Sequence, residues 1–281
     1  MRRPTARVHV TAVVAGDESV AGAARRRPDQ IVTEEPMEIR VHGPGEAPRP
    51  LVVTMRTPGN DFELAVGFCT AEGLIETATD LDSVEYCVGT NRTQEFNVVT
   101  VRLRQPIGDA LRARAFAATA ACGVCGTATL DDLAVRCGVV RRDVQVAWSA
   151  LREVPARLGA SQSVFATTGG LHAAGLFDAQ GTLDLVREDV GRHNALDKLI
   201  GRCVLDGQLP VAASGVVVSG RVGFELVQKA AVAGIAIVAA IGAPSSLAIE
   251  TARRFGVTII GFLRADRANI YTLPQRVDLD H

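Results

Sequence analysis

The chain has 281 residues, room for one or two domains at roughly 150 residues each. Hydrophobic residues make up 47% and charged residues 22%, which excludes a disordered, collagen-like or coiled-coil chain. Aromatics are 4%, so the core must be built from Ala, Val, Leu and Ile. Lys and Arg number 30 against 31 Asp and Glu, and a net charge of −1 asks for neither nucleic acid nor an anionic membrane as partner.

Residues 1–28 mix Ala, Gly and Arg, end in Arg25-Arg26-Arg27-Pro28, and read as a disordered tail. The short apolar stretch Val8 to Ala15 is interrupted by Asp17 and Glu18, so no export signal is expected. Order begins near Ile31. Met37 to Val41 alternates as a strand, turns at Gly43-Pro44-Gly45, and meets a partner at Leu51 to Met55. Asn60 is placed to cap a helix, with Glu63 as its capping-box carboxylate. Phe96 to Leu103 is a strand. Ile107 to Ala121 has a helical pattern, and Thr129 is placed to cap a short helix after it.

The second half is more regular. Val164 to Ala166 reads as a short strand, and Ala173–Phe177 with Thr182–Arg187 as a hairpin. Helices are expected over 191–205, 221–233 and 245–255, with strands at 215–218, 235–241 and 257–263. That alternation predicts an α/β fold whose sheet is parallel here. Residues 230–249 carry no charge, but Gly234, Gly242 and Pro244 break the run, so it is not a membrane span.

Six cysteines in a chain of this size do not make a disulfide scaffold and fit a reducing cytosol. One close pair exists, Cys122-Gly123-Val124-Cys125-Gly126. Such a loop binds metal, exchanges a disulfide or holds a persulfide. The last two need thiolate, which a free thiol of pKa about 8.5 supplies sparingly at neutral pH. A following helix start helps by about 0.3–1 kcal/mol, while Asp131 and Asp132 oppose it. A structural zinc site wants two close pairs, and a zinc deaminase wants an H-x-E segment, which none of the five histidines begins. Cys69, Cys87, Cys137 and Cys203 read as small buried hydrophobes.

Three glycine- and hydroxyl-rich segments stand where strands are expected to end: Thr167-Thr168-Gly169-Gly170, Ser219-Gly220-Arg221 and Ala243-Pro244-Ser245-Ser246. Together they predict an anion site of the nucleotide kind at the carboxyl edge of the sheet. Arg187 to Lys198 is dense in ionisable groups; Asp189 with His193 fits an i,i+4 pair, and His193 is a candidate acid–base group. Two arginines, Arg264 and Arg267, follow the last expected strand and suit phosphate oxygens or a guanine edge.

Taken together, CGVCG (122–126), TTGGLHAAGLF (167–177), REDVGRHNALDKLIGR (187–202), SGRVGFELVQKAAVAGI (219–235), APSSLAIETA (243–252) and GFLRADRANIYTLPQR (261–276), with GFCTAEGLI (67–75) upstream, resemble the formate dehydrogenase accessory sulfurtransferase family from about Ile31 to Arg276. The resemblance implies a sulfur carrier that receives a persulfide from a cysteine desulfurase. It passes the sulfur to the molybdenum or tungsten bis-molybdopterin guanine dinucleotide destined for the formate dehydrogenase catalytic subunit. It places the persulfide on Cys122 with Cys125 as partner, and the cofactor against Phe262, Leu263, Arg264, Ala265, Asp266 and Arg267. It implies a cytidine-deaminase-like mixed sheet flanked by helices, a smaller N-terminal α/β part, a homodimer and a cytoplasmic location, without membrane, nucleic acid or resident metal. The organisation expected is a tail (1–28), an N-terminal α/β part (29–121), the thiol loop with its connecting segment (122–162) and the cytidine-deaminase-like part (163–281). Gly223 departs from the pattern, which calls for a small hydroxyl residue there. Two other readings stay open: a non-catalytic chaperone for the cofactor, and a zinc-stabilised binding module.

Overall fold

The computed structural model describes residues 3–14, 23–87, 96–107 and 138–280. β1 (Thr5–Val14) and β2 (Ala23–Val32) form an antiparallel ribbon in register from Thr5 opposite Val32 to Val14 opposite Ala23. For residues 5–14 and 23–28 this corrects the reading of 1–28 as a disordered tail. The period-2 signal lies in one strand alone, where half-buried Val8, Val10 and Ala12 alternate with exposed Arg7, His9 and Thr11. Its arginine-rich partner has no pattern of its own, and main-chain pairing decides.

β3 (Glu35–His42), β4 (Arg49–Arg56), β5 (Leu81–Tyr86) and β6 (Val98–Leu103) form a sheet in the order β4-β3-β6-β5. β3 runs parallel to β6, and the other pairs are antiparallel. Met37, Ile39 and Val41 from β3 and Val99, Val101 and Leu103 from β6 supply its buried face. α1 (Asp61–Ala71) follows β4. Asn60 holds the N-cap position at φ 57° but its side chain caps nothing. The expected capping box is absent because both nearby carboxylates are claimed by arginines. Asp61 takes buried Arg56 in a two-pronged contact of 3.1 and 3.0 Å, and Glu63 takes Arg187. Charge-assisted forks of this kind outcompete a neutral cap.

β7 (Val146–Ala147), α2 (Trp148–Leu151), α3 (Val154–Ser161) and α4 (Ser163–Thr168) lead into the second half. The strand expected at Val164–Ala166 is helical. The Glu188 carboxylate accepts from the main-chain N–H groups of Val164 and Phe165 at 3.0 and 2.8 Å, a cap delivered from distant sequence. The helix expected over Ile107–Ala121 and the cap at Thr129 lie outside the described residues, apart from buried Ile107.

β8 (His172–Phe177), β9 (Leu183–Asp189), β10 (Gly215–Val218), β11 (Ile237–Ala240), β12 (Thr258–Gly261) and β13 (Asn269–Ile270) build a six-stranded sheet in the order β13-β12-β11-β10-β8-β9. β10, β11 and β12 are parallel as expected; β8, β9 and β13 are antiparallel, so the sheet is mixed. α5 (Arg192–Leu205), α6 (Phe224–Val232) and α7 (Ser246–Phe255) join its strands. β14 (Val277–Asp278) returns beside β7. This is the α/β architecture of a mixed sheet flanked by helices with a smaller N-terminal sheet.

The two sheets are joined where α1 crosses α5. A Cβ on Gly67 would overlap the Asp197 carbonyl oxygen, and one on Gly201 would overlap the Glu63 carbonyl oxygen. The helices meet backbone to backbone, which glycine alone permits here. Gly201→Ala is expected to cost about 1–3 kcal/mol or more by overpacking, read as a lower urea midpoint; an unchanged midpoint would rule out this contact.

Candidate functional site

Because β10, β11 and β12 are parallel, the segments following them leave the same edge of the sheet. They are 219–223, 241–245 and 262–267. The antiparallel β8 starts at that edge with His172, and β9 ends there with Asp189, opposite His172. Arg192 and His193 then open α5. Thr167–Gly170 also reaches this edge, but as the end of α4 rather than of a strand, with Gly169 at φ 66°. Two of the three expected anion-type segments therefore follow parallel strands and the third does not.

The segments are knitted by main-chain bonds. Gly242 N–H donates to Gly220 O at 3.1 Å, Val222 N–H to Ala243 O at 3.1 Å, Ser245 N–H to Val222 O at 3.0 Å, and Phe262 N–H to Gly242 O at 3.0 Å. A Cβ on Gly242 would stand 2.8 Å from Gly220 O, so this close approach requires glycine. Ser245 caps α7, its hydroxyl accepting from Ala248 N–H at 3.2 Å. α6 begins at Gly223, which offers no side-chain cap, and nothing lies within 4 Å of a Cβ built there. The hydroxyl missing from this position has open space beside it.

In the segment 262–267, Leu263 is fully buried and acts as the anchor, while Phe262, Arg264, Ala265, Asp266 and Arg267 are exposed. Phe262 stands at φ 52°, a strained conformation for a bulky residue. Arg264 N–H donates to Arg267 O at 2.8 Å, closing a turn, and Arg264 Nη1 donates to the carbonyls of Ile241 and Leu263, each at 2.8 Å. Its other guanidinium donors meet no acceptor among the described residues. Arg267 lies 3.6 Å from Asp266, a solvent-exposed pair of little strength.

The ionisable run 187–198 proves mostly to be internal fastening. Asp189 is fully buried and accepts from Thr57 N–H at 3.1 Å, Gly191 N–H at 2.8 Å and Asn194 Nδ2 at 3.0 Å, with Lys198 Nζ at 2.7 Å. Asp197 takes Lys229 Nζ at 2.8 Å, and burial raises its pKa to about 6. The expected Asp189–His193 pair is absent, because Asp189 is consumed by these partners. His193 Nε2 instead lies 3.1 Å from Glu225. Burial first, then Arg192, Lys229 and His172, lower the His193 pKa to about 4, so its neutral ring donates to that carboxylate at pH 7. Unfolded His193 binds a proton near pH 6.5 and the folded ring does not until about pH 4. Its contribution is therefore complete above pH 6.5 and is lost as pH falls toward 4. The expected slope is at most about 1.4 kcal/mol per pH unit, and chemical denaturation should show it reduced in His193→Gln.

Cys122 and Cys125 lie outside the described residues, as does Cys137. Cys69 and Cys203 are buried as expected, and burial pushes both thiols up, Cys203 to about 11, which leaves them inert. Cys87 is exposed, contrary to expectation: it follows β5, beyond the buried face of its sheet. Among the described residues, no group of three or more His, Cys, Asp or Glu is placed to hold a metal ion, and no helix is long and apolar enough to cross a membrane. A cleft lined in part by Asp178, Asp184, Cys203 and Ser214 opens at the opposite end of the sheet, away from all of these segments. It lacks free cations, since Arg202, the cation in its lining, is paired with Asp206.

The family model described as the FdhD/NarQ family matches residues 32–278. A protein named "Sulfur carrier protein FdhD" from Streptomyces coelicolor is 46% identical over 265 residues, covering 92% of this chain and 92% of its own length. One of the same name from Mycobacterium tuberculosis is 45% identical over 260 residues, covering 89% and 92%. Another, from Thermoplasma acidophilum, is 41% identical over 249 residues, covering 89% and 87%. A crystal structure described as a putative formate dehydrogenase accessory protein from Desulfotalea psychrophila matches 96% of this chain and 99% of its own, with a TM-score of 0.73 at 22% identity. That likeness shows the shared fold.

Proposed function

Since the chain belongs to the FdhD/NarQ family, we propose that it carries sulfur for formate dehydrogenase, accepting it as a persulfide on the Cys122–Cys125 loop. The observation that carries this reading is 46% identity, over 92% of both chains, to a protein named a sulfur carrier. The sulfur donor is a cysteine desulfurase, and the acceptor is the bis-molybdopterin guanine dinucleotide bound at the carboxyl edge. In the first step the Cys122 thiolate attacks the outer sulfur of the desulfurase persulfide. Cys122 becomes S–SH and the desulfurase thiolate leaves. In the second, the Cys125 thiolate attacks the inner sulfur of Cys122; a Cys122–Cys125 disulfide forms and sulfide departs to the acceptor. A dithiol reductant then restores both thiols.

The edge fits such an acceptor through its exposed Arg264 and Arg267, its open glycine at 223 and its exposed Phe262. Leu263, Ala265 and Asp266 shape the same segment. The loaded cofactor goes to the formate dehydrogenase catalytic subunit, in the cytoplasm, from a homodimeric carrier. Expression in a strain that lacks its own sulfur carrier should restore formate dehydrogenase activity; failure with a matched client enzyme would count against the assignment.

The exposed arginines of the edge also fit a second reading, a chaperone that binds the cofactor without transferring sulfur. The chaperone needs Arg264 and Arg267 and not the thiols, whereas the carrier needs both. In either reading Arg264→Ala should weaken dinucleotide binding about 10- to 100-fold, the worth of a charged hydrogen bond, as measured by calorimetry. Unaltered affinity would remove Arg264 from the site.

A further inference from the structure

Among the described residues, the buried and half-buried Arg and Lys side chains have partners, with one exception. Arg56, Arg187, Lys198 and Lys229 meet carboxylates, and Arg142 and Arg276 meet main-chain carbonyls. Half-buried Arg192 meets none among the described residues, and its Nε is buried without any hydrogen-bond partner. An unsatisfied buried donor costs about 1–3 kcal/mol. Such a cost is retained where a ligand removes it.

Arg192 stands at the carboxyl edge, at the start of the 14-residue helix α5, whose N-cap Gly191 supplies no side-chain cap. A Cβ on Gly220 would lie 3.3 Å from His172 Nδ1 and 3.9 Å from Arg192 Cδ, so the three groups adjoin one small space. The α6 N-terminus, equally uncapped, opens at the same edge. The charged groups that interact with Arg192, His172 or His193 here come from several elements: Asp189 from β9 and Glu225 and Lys229 from α6, with exposed Arg221 next to Gly220 in sequence. The carboxylates are taken, Asp189 by Lys198 and Glu225 by His193. What is left unpaired is positive.

We propose that Arg192, His172 and the open main chain at Gly220 form a subsite for a phosphate or pyrophosphate group. Arg192 supplies a planar fork matched to phosphate oxygens, and the two uncapped helix starts add positive potential. Burial and the neighbouring Arg192 hold both His172 and His193 below the ordinary imidazole value. An anion at this place relieves that repulsion and raises both midpoints, so binding takes up protons and tightens as pH falls toward the imidazole range. The inference rests on the proposed function only for the source of the group, which would be the linking pyrophosphate of the dinucleotide; free pyrophosphate has the same chemistry.

The test is calorimetric titration of the full chain with inorganic pyrophosphate and, separately, with guanosine diphosphate. Wild type should bind pyrophosphate with proton uptake, Arg192→Gln should lose about tenfold or more, and Arg192→Lys should recover part of it. Proton NMR of wild type gives a second readout: pyrophosphate should raise the titration midpoints of His172 and His193. Unmoved midpoints, or pyrophosphate binding equal in wild type and Arg192→Gln, would overturn the subsite. Pyrophosphate bound through Arg192 while guanosine diphosphate is ignored would support the subsite and sink the dinucleotide reading of the edge. Guanosine diphosphate bound equally by wild type and Arg192→Gln would do the reverse.

Discussion

Cys122→Ala is expected to abolish activation of formate dehydrogenase, at least about 100-fold, while leaving the unfolding free energy within about 0.5 kcal/mol of wild type. Among the described residues Cys69 and Cys203 are no substitute nucleophiles, because their thiols are buried and pushed upward. Cys87 is exposed but has no second thiol beside it in sequence to release bound sulfur. Cys125→Ala is expected to separate the two steps, loading sulfur normally and releasing it slowly. The measurement is client activity in a carrier-deleted strain, alongside denaturation of the purified variants. Full activity from Cys122→Ala would favour the chaperone reading.

The largest stability effect is expected at Asp189. This carboxylate is fully buried and serves Thr57, Gly191, Asn194 and Lys198 at once, with Lys198 itself 2% exposed. Asp189→Ala leaves an ammonium buried without its counter-charge and two main-chain N–H groups without an acceptor. Removing one partner of such a pair costs about 3–5 kcal/mol. Since Thr57 N–H belongs to the N-terminal half and Lys198 also donates to Thr57 O at 3.0 Å, the loss falls on the junction between the two sheets. Urea denaturation of Asp189→Ala should show it, and the double variant Asp189→Ala/Lys198→Met should recover part of the stability by removing the stranded charge. A loss below about 1 kcal/mol would mean the pair is not the fastening described here.

What could be read from the sequence was what repeats locally. β10, α6, β11, α7 and β12 lie within the runs expected of them, since a buried strand of four residues and a helix of about ten each leave a periodic trace. The shared edge followed from parallel strands. What escaped was set by partners far away in sequence. Ser163–Thr168 is helical because Glu188 caps it. Asn60 and Glu63 make no capping box because Arg56 and Arg187 take the carboxylates. The ribbon at the start is held by register rather than by pattern. The run 187–198 announced chemistry through its density of charge, yet Asp189, Asp197 and Lys198 hold the fold together. Arg192 belongs to the same run, and among the described residues its Nε is the buried side-chain donor left without a partner.

The central claim is that Cys122 carries sulfur, and the intact mass of the protein after incubation with a cysteine desulfurase and cysteine tests it most directly. A gain of about 32 Da, one sulfur atom, is expected, removed by a thiol reductant and absent in Cys122→Ala. No gain, or the same gain in Cys122→Ala, would contradict the account.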